Sequence, residues 1–571
     1  MSVSRRDLLK IGVVGGAALA LPLERVGLAG TPDNRMPTSK LPARFTLPFV
    51  RPPELKPSGS WRMRCPDGMM RSYPRYDVRQ QFTVAEILPG YKTPIFGYNG
   101  VTPGPTIRVR RGSPIVVRQA NSLQRPPAAP YQNVPMPSRY TNDPNQRSTS
   151  THLHGSASLP QFDGYASDIT APGQVKTYFY PNAQEARTLW YHDHGVHHTS
   201  QNAYNGLAAM YVLHDEKERR MGIPSGANPT TRRYDVPMVV RDAMFATDGG
   251  LVYDDNSESG VYGDVPLING VPWPVMDVEP RIYRFRILNA SVSRSYNWQL
   301  HDGRAPVPMT VVGTDAGLVP KPQTVMTLRH GMAERYEVVI DFAKYKGAQL
   351  TLRNISPKNN VDYEGMDQVM RFRVGRAAPT STYGNSISPN WQERVENAEC
   401  MDWDLPGLRS QGVAEREFTF IRTHGQWTIN GETWEEVIDS GYTHCMAEMD
   451  EGAVEIWKLT NSSGGWFHPV HIHLVDFQVL SRNGNPANVK PFEKGPKDVV
   501  YVGENETVEV AMRFAGPKAG PGWRTPRGRY MMHCHNLVHE DHDMMMQFGV
   551  GDPDHAPDID PITAQYPEWE A

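Results

Sequence analysis

The stretch "YNGVTPGPTIRVRRGSPIVVRQANS" (Tyr98–Ser122) opens on an Asn-Gly turn signal, runs into an alternating segment and closes on Asn. The same plan returns in "INGVPWPVMDVEPRIYRFRILNAS" (Ile268–Ser291) and in "INGETWEEVIDSGYTHCMAEMDEGAVEIWKLTNSS" (Ile429–Ser463). Three such starts predict three copies of one β unit. Alternation in "ERYEVVIDF" (Glu334–Phe342) and "ETVEVAMRF" (Glu506–Phe514) predicts further strands in the second and third copies. The predicted fold is all-β, three consecutive β-sandwich domains at about residues 75–215, 230–375 and 415–552.

Length and composition fit that plan. A chain of 571 residues exceeds one compact domain, and 39% apolar content is enough for several cores. The 49 Gly and 50 Pro favour turn-rich β structure over long helices. A net charge of −3, with no basic cluster in the body, gives no sign of a nucleic-acid partner. Residues 31–60 are Pro-rich and read with 61–74 as an extended lead-in, while 553–571 read as a tail.

The N-terminus reads as a leader. "SRRDLLK" (Ser4–Lys10) precedes the apolar "IGVVGGAALALPL" (Ile11–Leu23), which is short for a membrane span. The pair Arg5-Arg6, with Leu8-Leu9 and Lys10, resembles a twin-arginine signal over about residues 1–30, with small-residue cleavage candidates at Ala18–Ala20 and Gly27–Ala29. The expected partner is therefore the twin-arginine export machinery, and the expected location is periplasmic or extracellular. No other stretch reaches transmembrane length, so no stable membrane span is expected in the mature chain. Export favours disulfides, yet the only cysteines are Cys65, Cys400, Cys445 and Cys534. With Cys534 taken as a metal ligand, at most one disulfide remains, and its pairing is open.

Histidines separate the copies. The first contains "THLHGS" (Thr151–Ser156) and "LWYHDHG" (Leu189–Gly195); the third contains "HPVHIHLVDF" (His468–Phe477) and "YMMHCHNLVHEDHDMMMQ" (Tyr530–Gln547). The second has only His301 and His330, in no motif. Residues i and i+2 of a strand face one side, so each His-x-His aims two imidazoles together. One such pair is more often a surface strand or a satisfied core histidine. Four pairs, His152/His154, His192/His194, His471/His473 and His533/His535, in matched places of two copies point instead to a metal cluster of the copper, zinc, iron or nickel kind.

Cys534 lies between His533 and His535, so on a strand its side chain faces the other way. With His468, His539 and Met544 it would complete a trigonal His₂Cys set with a weak axial thioether, the blue-copper arrangement. Met545 and Met546 read as packing. The Cys534 backbone would then join two metal sites over roughly 10 Å of covalent path.

The motifs "HLHG", "HDHG", "HPVHIH" and "HCHNLVHEDHDMM" resemble those of the multicopper oxidases. Together with "GGWFHPVHIHLVDFQVLSR" (Gly464–Arg482) and "KDVVYVGENETVEV" (Lys497–Val510), the last motif looks most like the bilirubin oxidases, then the spore-coat laccases and phenoxazinone synthases. The resemblance covers about residues 75–552. It implies cupredoxin-like Greek-key sandwiches and four coppers per chain. Cys534, His468, His539 and Met544 would hold a type 1 copper, His152 and His471 a type 2 copper, and His154, His192, His194, His473, His533 and His535 a type 3 pair. It also implies that Asp163 and Glu540 handle protons and that Trp466 lies beside the type 1 site. The implied reaction takes single electrons from a small-molecule donor at type 1 and reduces O2 to water at the trinuclear cluster between domains one and three. His468 or His539 is the expected outer contact, and Asp193 is expected to face away from the cluster.

Two features depart from that family pattern. The leader points to a bacterial exporter, and the Gly/Pro-rich loop Ala515–Gly528 stands where it could border the type 1 site and alter substrate access. The weighed alternatives are a Cu(I) or Mn(II) oxidase, for which a Met-rich insertion is missing, and a copper-less cupredoxin scaffold, which would be expected to lack ligands present here.

Overall fold

The computed structural model describes residues 34–551 apart from 66, 124–146, 356–360, 362, 396–401 and 517–525. The leader, Cys400, the tail and most of the Ala515–Gly528 loop lie outside the described residues. Among the described residues strands dominate, arranged in six sheets around three large apolar cores. These are cupredoxin-like β-sandwiches.

The three Asn-Gly signals are one turn built three times. Asn99, Asn269 and Asn430 have φ of 52°, 51° and 54°, and the glycines after them 76°, 82° and 85°. Positive φ at both central residues defines the type I′ hairpin, which suits Asn-Gly because Asn tolerates the left-handed region and Gly, lacking a Cβ, enters it without strain. Each Asn Oδ1 accepts a backbone N–H from the strand alongside: Arg79 at 2.7 Å, Val239 at 2.8 Å and Thr419 at 2.7 Å. The closing asparagines repeat as well, Asn121, Asn289 and Asn461 each capping the N–H two residues on.

The copies share their strand pairing. Met70–Ala85 runs parallel to Ile115–Ser122, Asp235–Ala243 to Ile282–Asn289, and Ala414–Thr423 to Val454–Asn461. Parallel neighbours need a crossover, so each hairpin strand returns over the sandwich, the Greek-key route. The alternating segments expected in the second and third copies are Arg335–Asp341 and Thr507–Arg513, paired antiparallel to Ile282–Asn289 and Val454–Asn461.

Buried polar networks lock the sandwiches together. Arg187 of the first forms a bidentate pair with Asp476 of the third at 2.5 and 2.7 Å. Arg284 and Arg286 of the second share Glu218 and Glu337, and Arg286 also binds Asp235, all buried, with Thr188 of the first hydrogen-bonded to Glu337. Charges this deep are tolerated only when paired and hydrogen-bonded, which fixes the relative placement of the strands that carry the histidines. Among the described residues no helix is long and apolar enough to cross a membrane. Cys65, Cys445 and Cys534 carry free thiols.

Candidate metal centre

The histidine strands face one another in register. Thr151–His154 pairs antiparallel with Arg187–Asp193, placing His152 opposite His192. His468–Ile472 pairs with Gly528–Cys534, placing His471 opposite His533 and Val470 opposite Cys534. The two half-sites meet edge to edge. The His154 and His471 rings stack at 3.7 Å and 18°, and the His152 and His473 rings lie 4.1 Å apart. All eight side chains are buried.

Ligand atoms gather in compact sets, each within 4.8 Å: His154, His192 and His535; His194, His473 and His533; and His152 with His471 and His473. All three sets take histidines from both outer sandwiches.

On His152, His192 and His471 the outward nitrogen is anchored and the inward one is not. Nδ1 of His152 and of His471 face the carbonyls of Asp163 and Asp498, and Nδ1 of His192 faces the carbonyl of Asp193 at 2.7 Å. Facing a carbonyl fixes the tautomer with Nδ1–H donating. Their Nε2 atoms have no hydrogen-bond partner, nor has Nδ1 of His154. Nε2 of His533 lies 3.2 Å from both His194 Nε2 and His473 Nε2. Burial drives the pKa of His152, His154, His192, His471, His473 and His535 well below the ordinary imidazole value, so they stand neutral with lone pairs free. Such a convergence of lone pairs is costly without a cation and is the donor set imidazole-binding metals take.

Asp163 and Glu540 sit at this cluster. Asp163 Oδ2 is 2.7 Å from His473 Nδ1, and burial holds its carboxyl well above the usual range. Glu540 Oε2 is 2.8 Å from His533 Nδ1, with Oε1 3.5 Å from His194 Nδ1. Asp193 faces away, as expected: its carboxylate accepts from Ser150 N–H and Asn202 Nδ2.

On the opposite face Cys534 meets its own partners. Its Sγ lies 3.2 Å from His468 Nδ1 and 3.6 Å from His539 Nδ1, and these two nitrogens are 3.3 Å apart. Outward, His468 Nε2 meets Ser463 Oγ at 2.7 Å and His539 Nε2 meets the Ser259 carbonyl at 3.1 Å. Asn536 N–H points at Sγ at 3.4 Å, which favours a thiolate. Burial alone pushes the thiol pKa up, so a metal taking this sulfur must displace its proton. Met544 is buried in the same core cluster, its N–H bonded to the His539 carbonyl and its carbonyl to the Cys534 N–H. Met545 and Met546 pack in cores.

One expectation fails. Neither His468 nor His539 reaches solvent, both being 0% exposed. Trp427 stacks on His539 at 3.7 Å and 24°, its Nε1 bound to the Glu258 carbonyl, and the Ser257–Ser259 segment of the middle sandwich closes over both. Trp466 is only half-buried and meets Trp427 and His539 edge-on at 5.8 and 6.1 Å. Trp427 went unread in the sequence because it belongs to no motif; its neighbouring Asn-Gly turn marks a strand but not what that strand faces.

Of the histidines left outside the motifs, His330 is a satisfied core residue. Its Nδ1 accepts from Trp298 Nε1 at 2.9 Å and its Nε2 faces the Glu334 carbonyl at 2.6 Å.

Such a pairing of a histidine cluster with a His₂Cys set defines a class, and the chain belongs to the multicopper oxidase family. Models described as multicopper oxidase match residues 81–143 with 138–218, then 223–363 and 414–554. A bilirubin oxidase of Albifimbria verrucaria is 42% identical over 466 residues, covering 80% of this chain and 73% of the relative. A laccase of Bacillus subtilis is 31% identical, covering 81% and 91%. Among solved structures, the McoA multicopper oxidase of Aquifex aeolicus superposes with a TM-score of 0.70 at 26% identity, covering 89% of this chain and all of that one. The chain is a copper oxidoreductase that uses O2, and the copper-less scaffold reading falls.

Proposed function

We propose that this oxidase takes single electrons from an organic reductant, a tetrapyrrole, phenol or aromatic amine, and holds four coppers. In this reading His468, Cys534, His539 and Met544 hold type 1, His152 and His471 hold type 2, and His154, His192 and His535 with His194, His473 and His533 hold the type 3 pair. Copper bound there supplies one-electron storage, so that O2 takes four electrons and four protons to water without releasing partly reduced oxygen.

The residues support each part. Cys534 is bonded through its backbone to His533 and His535, so one strand end joins both donor sets. Asp163, its carboxyl held high by burial, stores a proton beside His473, while Glu540, its pKa lowered by His533 and His194 despite its burial, stands as a carboxylate that accepts from His533 and can take up a proton in transit. Trp466 is the half-buried aromatic against which a flat donor would dock, with Trp427 behind it stacked on His539. The observation that carries the reading is Sγ of Cys534 gathered with Nδ1 of His468 and His539 on the strand whose next residues enter the histidine cluster. The twin-arginine leader supports export to the periplasm or exterior, tested by replacing Arg5-Arg6 with Lys-Lys and following the protein's compartment.

Oxygen uptake compared for bilirubin, a phenol and Cu(I) tests the donor class. Uptake with the organic donors is expected; uptake with Cu(I) alone makes this a metal-ion oxidase.

A further inference from the structure

Asp163 has a counterpart to which the family resemblance assigned no role. Asp163, in the first sandwich, turns its carbonyl to His152 of its own domain and its carboxylate to His473 of the third. Asp498, in the third sandwich, turns its carbonyl to His471 of its own domain at 2.8 Å and its carboxylate to His154 of the first at 3.1 Å. The two aspartates are related as the two half-sites are. Each ties an outward nitrogen on its own side and another across the gap.

Their surroundings differ in one respect. The Asp498 carboxylate is gripped by Arg335 of the middle sandwich, Nη1 on Oδ1 at 2.6 Å and Nη2 on Oδ2. Arg335 is itself fully engaged. Its Nε donates to the Thr188 carbonyl of the first sandwich, and its Nη atoms donate also to the Ala333 and Asp315 carbonyls. This one guanidinium therefore touches all three domains. Gly155, the glycine of "HLHG", leaves room for it: φ is +84°, and a Cβ there would lie 2.7 Å from both Arg335 Nη2 and Asp498 Oδ2.

We infer that Asp498, locked by Arg335, is a positioning residue that holds His154 with Nδ1 turned to the metal cluster. The middle sandwich, which carries no ligand motif, thereby fixes the geometry of the trinuclear site. A bidentate guanidinium occupies both carboxylate oxygens in a fixed plane, so Asp498 orients an imidazole. Asp163, with no arginine bound, keeps an oxygen for proton traffic.

The inference rests on the copper reading above, and the test separates the two. Asp498→Asn is prepared as the full chain, loaded with copper and compared with the unaltered protein by copper content, the blue type 1 band and the electron-paramagnetic signal of type 2. If the unaltered protein takes no copper, the copper reading fails. If it does, Asp498→Asn is expected to keep the blue band while trinuclear copper affinity falls by about 10–100-fold, the usual cost of losing a residue that orients metal ligands. Retention of full copper and an unchanged type 2 signal overturns the inference. Because Asp498→Asn leaves Arg335 short of a counter-charge, Asp498→Asn with Arg335→Gln is the second variant, and the same loss of trinuclear copper under a retained blue band is expected. Loss of the blue band in both variants also overturns it, since that would make the pair a general fold element.

Discussion

Cys534 and His533 are chain neighbours on one strand and face opposite sides of their sheet, Cys534 opposite Val470 and His533 opposite His471 in the ladder. That one-residue step separates a three-donor sulfur site from a histidine cluster. Cys534→Ser removes the sulfur without disturbing the other face. The blue band should vanish and donor oxidation should fall at least about a hundredfold, while type 2 copper remains by magnetic resonance. A blue, active variant would remove electron entry from this strand.

Trp466 and Trp427 should separate. Trp466→Ala takes away a half-buried face, so kcat/KM for aromatic donors should drop with copper content unchanged. Trp427→Ala empties a fully buried site against His539 and should cost about 3–5 kcal/mol in stability, as well as shifting the blue band. Unchanged donor kinetics in Trp466→Ala would place donor docking elsewhere.

Glu540→Gln and Asp163→Asn keep shape and remove the carboxyl that can carry a proton. Steady-state oxygen reduction should fall by about 10²-fold or more, while anaerobic bleaching of the blue band by donor keeps its rate. Equal slowing of both would tie the carboxylates to electron entry instead.

His330 gives a pH prediction away from the metal sites. Burial holds its folded pKa at about 3, below the ordinary 6.5. Below pH 6.5 the unfolded chain takes a proton that the folded one refuses, so stability falls by up to about 1.4 kcal/mol per pH unit until about pH 3. Denaturant midpoints measured across that window should fall less steeply for His330→Gln than for the parent; parallel curves would contradict it.

Much of this was legible because it is local. Asn-Gly fixes a turn wherever it falls, and His-x-His on a strand shares a face whatever packs against it, so the repeats, the four pairs and the two-sided placement of Cys534 follow from spacing. Asp498, Arg335 and Trp427 act through contacts between distant segments, and an Asp in "KDVV" looks like any other until His154 arrives from the first sandwich. The covering of His539 was equally hidden, since the Ser259 carbonyl that meets it comes from the domain without a ligand motif.

The central claim, one strand end joining an electron-accepting sulfur site to an O2-reducing histidine cluster, is tested most directly by copper-loading the full chain. Copper content, the blue band and oxygen uptake on an organic one-electron donor are then measured together. The account predicts four coppers per chain, a blue protein, and one O2 consumed for every four donor electrons with no peroxide released. A colourless loaded protein, or peroxide as the product, would contradict it.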